Sequence, residues 1–388
     1  MANCIVHIGI HKTGSTSIQN SLNGFEDEKF VYLKLRHANH SVELGSYFGF
    51  RKEAHENFND HTLKLIEKTL LHSKQKTVII SGEDISFFNT NQLKKFADFL
   101  HVHFTHVQVI GYVRSPGAYM QSAFQQVLKS NTVKEINFYR NFENTFKKFD
   151  DVFGTTNVKL IKFDRNHFKN GCVVTDFCNQ IGLILPINRI TTANESICLL
   201  TAQLISCYMQ YYDAKPYIAN LIDPISRLIN NAAIRISPKI IETAIQENLT
   251  DITWMEERLG CSLSEELGEE NPNDLLDTSL LLQPHPKDIK VLHTLLAGRL
   301  GRKISFESTE DIALMVYELV KMLSLKRVDV SPDRADNLRD LSLKIEAGQT
   351  LNLKHALELM TIAKEIRPNS PFISRKITEM DLIVNGNK

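Results

Sequence analysis

Four hydroxyl side chains crowd around a lysine near the start of the chain, where Lys12, Thr13, Ser15, Thr16 and Ser17 lie in or just after a loop bounded by Gly9 and Gly14. Hydroxyl and ammonium donors beside backbone amides that glycines leave accessible are the chemistry of an anion site, and they predict a bound phosphate or sulfate. A second stretch, Val113-Arg114-Ser115-Pro116, carries a guanidinium. Arginine keeps its charge at any working pH and pairs with phosphate through two parallel hydrogen bonds. Two further groups are suited to moving a proton, the carboxylate of Glu83 and the imidazole of His40. Phe87 and Phe88 follow Glu83, and their burial is expected to raise its pKa toward a useful range. His101, His103 and His106 also fall close together, but no cysteine or carboxylate stands beside them at ligand spacing, so no metal site is expected.

These residues sit at the ends of apolar runs. Ile5 to Ile10 reads as a buried strand, and the helix that begins near Gly14 carries Ile18 and Leu22 at helical spacing, with Gly24 as a C-cap. Thr77 to Ile80 is a second strand that ends in Ser81-Gly82-Glu83-Asp84, followed by a helix with Leu93, Phe96, Ala97 and Leu100 on one face. Val107 to Val113 is a third strand. Ser115 caps the next helix, Pro116 is its first residue, and Met120, Ala123, Phe124 and Val127 mark its apolar side. Val158 to Phe163 is a further strand, with a helical segment near Phe177 and Ile181. Strand alternating with helix predicts an α/β fold with a parallel sheet and helices on both faces. Ligands of such sheets bind beyond the carboxyl ends of the strands, where Lys12, Glu83 and Arg114 are expected to converge.

A nucleotide-hydrolysing loop has the form Gly-x-x-x-x-Gly-Lys-Ser/Thr, with the lysine after the second glycine. Here Ser15 follows Gly14 and the lysine stands inside the loop. This arrangement resembles the 5′-phosphosulfate loop of the sulfotransferases that use 3′-phosphoadenosine 5′-phosphosulfate (PAPS), usually written Pro-Lys-Ser/Thr-Gly-Thr-Thr. The resemblance implies that His11, Lys12, Thr13, Gly14, Ser15, Thr16 and Ser17 bind the donor, with His11 a variant at a position that is usually Pro or a small residue. It implies that Lys12 holds the leaving phosphate. It also assigns the donor's 3′-phosphate to Arg114 at a strand end and Ser122 eight residues later, a spacing the family shares. Glu83 stands where many members carry a catalytic histidine or a cofactor-facing lysine. An Asn-His-Ser segment such as Asn39-His40-Ser41 recurs in bacterial members, so the base is left open between Glu83 and His40. The implied fold is a P-loop-type parallel sheet, and the implied chemistry is sulfuryl transfer without a metal to a hydroxyl acceptor, on a carbohydrate or glycolipid by family analogy. Phenols, steroids and protein tyrosine remain open as acceptors. The alternatives are a P-loop kinase-like nucleotide phosphotransferase, against which the missing lysine after Gly14 counts, and a non-catalytic adapter that keeps the fold.

Composition bounds these readings. The 388 residues are 43% hydrophobic, ample for a large core and a second unit, and 45 basic residues balance 45 acidic ones. No general attraction to nucleic acid or an anionic membrane follows. A strand so near Met1 leaves no room for a signal peptide, no later run suits a membrane span, and a cytoplasmic protein is expected. The six cysteines form no Cys-x-x-Cys pair and are expected to be reduced core residues. The expected organisation is an α/β domain over 1–187, a mainly helical region over 188–330 flanking the acceptor side, and helical hairpins over 331–388. The apolar stripe Leu353, Ala356, Leu357, Met360, Ala363, Ile366, the Arg367-Pro368-Asn369-Ser370-Pro371 turn and a helix with Phe372, Ile373, Ile377 and Met380 resemble one tetratricopeptide unit, which implies a protein partner for these helices.

Overall fold

Alternation within a single strand decides which faces of the sheet are covered. In β1 (Ala2–His7), Cys4 and Val6 point to one face and Ile5 and His7 to the other, and all four are buried. A strand buried on both sides must be central, and so it is. β2 (Phe30–Tyr32), β3 (Thr77–Ser81), β4 (Phe104–Val113) and β5 (Val158–Lys162) complete a sheet of order β2-β3-β1-β4-β5, with every neighbouring pair parallel. The computed structural model describes residues 2–9, 13–51, 58–73, 75–129, 133–191, 196–213, 217–300, 307–324, 339, 342–343, 353–366 and 370–385. His11 and Lys12 lie outside the described residues, as does Ile10, the last residue of the expected first strand.

Residues 1–123, 137–195 and 237–270 form one unit. On one face of its sheet, Cys4, Val6, Val78, Ile80, Val107 and Val109 meet Leu93, Phe96 and Leu100 of one helix (Thr90–His103) and Phe142, Phe146, Phe149 and Phe153 of another (Phe142–Phe153). Full burial of each such side chain is worth about 1.5–3 kcal/mol. On the other face, Ile5, Ile79, Ile110 and Tyr112 pack against Ile18 and Leu22 of α1 (Ser15–Leu22) and against Val174 and Phe177 of the helix Val173–Ile181. The α/β fold with a parallel sheet and helices on both faces is the one expected from the alternating strands and helices. The helices Pro238–Glu247 and Leu249–Leu259, expected with the helical region, belong to this α/β unit, where Ile252, Met255 and Leu263 enter its core.

The second unit comprises residues 124–136, 196–236 and 271–388. Its described elements are helical, among them Leu199–Met209, Ile218–Ile229, Thr309–Ser324 and the pair Leu353–Ile366 and Pro371–Asn385. In that pair Ala356, Leu359, Met360 and Ala363 pack with Ile373 and Met380. One helix pair is common to a tetratricopeptide unit and to an ordinary hairpin, and the Arg367-Pro368-Asn369 turn lies outside the described residues. Among the described residues, no helix is long and apolar enough to cross a membrane.

Candidate functional site

The turn out of β1 requires glycine twice. A Cβ on Gly9 would lie 2.0 Å from Ser15 Oγ and 2.8 Å from His7 Cε1. Gly14 is left-handed (φ +77°), and a Cβ there would fall 2.5 Å from Val173 Cγ1. Gly14 caps α1, and the Ile18 amide donates to its carbonyl at 3.1 Å. Thr13, Ser15 and Ser17 are buried around this turn and Thr16 is half-buried. No acidic residue stands in the first turn of α1, whose leading amides point out of the helix end with the positive pole of its dipole.

Beneath the loop lies a polar cluster that the sequence reading missed. His7 Nδ1 is 2.8 Å from Ser81 Oγ, which also accepts from Gln19 Nε2 at 3.2 Å. His40 joins it from the edge of the sheet. β2 stops at Tyr32, and two positions further along β3 the vacant ladder place is filled by His40: its amide donates to the Ser81 carbonyl at 2.9 Å, and its Nδ1 accepts from the Ser81 amide at 3.1 Å. The imidazole therefore substitutes for a backbone carbonyl, and its ring lies against Tyr32, tilted by 35° with centroids 4.6 Å apart. Nδ1 as an acceptor places the proton of the neutral ring on Nε2, which makes that edge a donor. Both imidazoles are fully buried, and burial pushes the pKa of each down to about 3. Neither Nε2 has a hydrogen-bond partner among the described residues.

Glu83 follows β3 by two residues and opens a short 3₁₀ turn, Glu83–Phe87, with its carboxylate largely buried. That turn is held from several sides. The Asp84 amide donates to Ser41 Oγ at 3.0 Å and its carboxylate is paired with Arg51. Lys148 Nζ donates to the carbonyls of Ser86 and Phe88 at 2.8 and 2.7 Å, and Arg140 Nη2 donates to Ser86 Oγ at 3.2 Å. Burial, helped by Arg140 nearby, pushes the Lys148 ammonium down to about 8. Phe88 turns into the core, while Phe87 stacks on Phe50 beneath the Arg140 guanidinium.

Arg114 is the first residue after β4, its guanidinium 5.5 Å from the centre of the Phe163 ring. After α1 come the helices α2 (Ser41–Tyr47), α3 (Phe58–His72) and α4 (Thr90–His103); Pro116 opens α5 (Pro116–Leu128), as the Ser115-Pro116 signature predicts, and Ser122 lies on this helix. The amides of Gly117 and Ala118 donate to the two carboxylate oxygens of Glu265 at 2.5 and 3.0 Å. Contact there is close: a Cβ on Gly117 would meet Ile241 Cγ2 at 2.6 Å and Glu265 Oε1 at 2.9 Å. Burial and then the charge of Arg165 push the Arg114 guanidinium down from its ordinary value, with Glu265 opposing. Burial raises the Glu265 carboxyl against the pull of those two amides, Arg114 and Lys162. Lys162, Arg165 and Glu265 were not singled out in the sequence, and no local pattern links Glu265 to a helix 148 residues earlier.

β1 lies between β3 and β4, with His7 level with Ser81 on one side and Ile110 on the other. Glu83, two residues past β3, and Arg114, the first residue past β4, therefore follow the two strands that flank β1, which lie two strand spacings or about 10 Å apart. The strand order reverses at this point, which in open α/β sheets is where ligands bind. Among the described residues, no group of histidines, cysteines and carboxylates is arranged to hold a metal ion.

No protein-family profile matches the chain. An uncharacterized protein from Archaeoglobus fulgidus is 25% identical over 116 residues, 29% of this chain and 32% of its own length. The chain thus matches about a third of the length of that curated relative. Among solved structures, the crystal structure of a sulfotransferase from Alicyclobacillus acidocaldarius aligns with 68% of this chain and 97% of its own at 13% identity, with a TM-score of 0.38. A similarity of that size leaves the functional reading to the residues themselves.

Proposed function

We propose that the α/β unit is a PAPS-dependent sulfotransferase acting on a hydroxyl acceptor, a carbohydrate or glycolipid being the leading class. One juxtaposition carries this reading: a glycine-dependent, hydroxyl-lined turn at the end of β1 beside a strand, β4, that ends in Arg114 with Ser122 on the helix it enters. The donor set fits the group. Thr13, Ser15, Thr16, Ser17, the α1 amides, Arg114, Lys162 and Arg165 are donors or cations, suited to a ligand with anions at both ends.

When bound, the phosphosulfate supplies a sulfur–oxygen bond whose cleavage releases a stable phosphate. The acceptor oxygen forms the new bond to sulfur as the bridging bond breaks, so this chain has two tasks: to take the acceptor proton and to hold the charge on the departing phosphate. The second falls to Lys12 with the α1 amides. For the first, Glu83 is the better-suited group. His40 presents an N–H donor at Nε2 and commits Nδ1 to the Ser81 amide, which leaves it no lone pair for a proton; it acts instead by fixing the end of β3, from which Glu83 projects. Asp84 is committed to Arg51.

Calorimetric titration of the full chain with 3′-phosphoadenosine 5′-phosphate beside ATP tests the reading. Binding of the former at least tenfold tighter is expected, and a preference for ATP with magnesium supports the phosphotransferase alternative. Glu83→Gln should then keep nucleotide affinity and lose transfer, whereas a variant with undiminished transfer returns the search for a base to the other polar residues of the site.

A further inference from the structure

The first turn of α5 already holds an anion, and that anion is part of the protein. Glu265 places one carboxylate oxygen on the Gly117 amide and the other on the Ala118 amide, three and four residues beyond Arg114. The carboxylate thus sits at the N-terminal end of α5, and its charge is felt by the Arg114 guanidinium. Two cations act on it, Arg114 and Lys162, the lysine also tied to the Ser262 carbonyl at 2.8 Å, and the charge of a third, Arg165, acts on Arg114. Gly117 is what lets Glu265 approach so closely, since any larger residue there collides with Ile241 and with Glu265 itself.

We infer that Glu265 sets the specificity of the nucleotide site by acting as a resident anion that weakens recognition of the 3′-phosphate. This rests on the assignment of Arg114 and Ser122 to that phosphate. A phosphate that arrives at Arg114 meets a fixed negative charge as well as three positive ones, so the guanidinium delivers less affinity than it would alone. The nucleotide product, which retains the 3′-phosphate, is held correspondingly less tightly.

Titration of the full-length protein with 3′-phosphoadenosine 5′-phosphate and, separately, with adenosine 5′-phosphate tests this. A charge-assisted Arg–phosphate contact alone gives an advantage of roughly 10- to 150-fold. In the wild type the 3′-phosphate should improve affinity by less than about tenfold, below that range. Glu265→Gln keeps an oxygen for one amide and removes the charge; it should tighten the 3′-phosphorylated ligand about tenfold and change the other by less than twofold. Glu265→Asp keeps the charge and should give no such gain. In Arg114→Ala the 3′-phosphate should become a liability, so that adenosine 5′-phosphate binds the tighter of the two. A wild-type advantage of 100-fold or more, or a Glu265→Gln protein that is folded but gains nothing, overturns the inference and leaves Glu265 a helix cap. Absence of any 3′-phosphate effect in the wild type, Glu265→Gln and Arg114→Ala alike overturns the assignment of Arg114 as well.

Discussion

At the end of β1 the chain turns through two glycines into α1, with hydroxyl side chains and no acidic residue in the first turn; at the end of β4 it turns through Arg114 and Pro116 into α5, whose first amides are taken by Glu265. Both turns stand at the carboxyl end of one parallel sheet, and both present a helix dipole. They differ in what neutralises it. On the proposed function the α1 turn takes its anion from the donor, whereas the α5 turn carries Glu265 and leaves the reading of phosphate to the Arg114 side chain. A site with both can hold the reacting end of a donor firmly and the remote end weakly, which favours release once the reacting bond has broken.

The comparison breaks first if the α1 turn does no work in the transition state. Lys12→Ala should lower turnover by about 100-fold or more with a much smaller change in nucleotide affinity, as steady-state kinetics beside calorimetry will show. Near-normal turnover removes that role. The next largest effect belongs to the α5 turn: Arg114→Ala should weaken 3′-phosphoadenosine 5′-phosphate by about 1.5–3 kcal/mol and spare adenosine 5′-phosphosulfate, and equal losses for both ligands show that the guanidinium reads something else.

A smaller effect tests the turn geometry itself. Gly14→Ala combines a positive φ with a collision at Val173 and should cost about 1–3 kcal/mol in a urea melt. Gly24, also at positive φ (+67°) but with nothing within 4 Å of a Cβ, should tolerate alanine better, and an equal cost at the two sites argues against a special approach at Gly14.

How much of this was legible varies with the range of the interaction. β1, β3, β4 and β5 are apolar runs bounded by turn residues, and the Gly9 and Gly14 spacing and the Ser115-Pro116 start are local patterns, so the α/β fold and both turns follow from the chain. β1 ends at His7, earlier than its apolar run suggests: paired residues reach only that far, and one further bond, from the Ile8 amide to the Ile110 carbonyl at 2.9 Å, ties the next residue to β4. β2 has three residues, too few for a periodic signal. His40 could not be read as a ladder residue, since a side chain that replaces a carbonyl leaves no pattern, and His7 is hidden as one polar residue in an apolar strand. Glu265 depends on a contact across 148 positions, which no window along the chain contains.

The buried imidazoles make a separate prediction, one that concerns acid stability rather than either turn. Each is neutral when folded, with its pKa pushed down to about 3, and titrates near 6.5 when unfolded. Between those values the unfolded chain binds the extra protons. Their contribution is therefore fully present above about pH 6.5 and is lost as the pH falls toward 3, with a slope of up to about 1.4 kcal/mol per pH unit for each histidine. Urea melts at pH 7 and 5 should show the loss, and His40→Gln should reduce its slope; a profile flat over this range contradicts the buried neutral rings.

The central claim is that the site moves a sulfuryl group. The most direct measurement is transfer of labelled sulfuryl from PAPS to a panel of hydroxyl acceptors, with carbohydrates and glycolipids beside phenols, run with wild type, Lys12→Ala and Glu83→Gln. Label should reach a hydroxyl acceptor in the wild type and fall by about 100-fold or more in both variants, each still binding 3′-phosphoadenosine 5′-phosphate. Wild-type protein that binds this nucleotide yet labels no acceptor, or variants that transfer as fast as the wild type, would contradict the account.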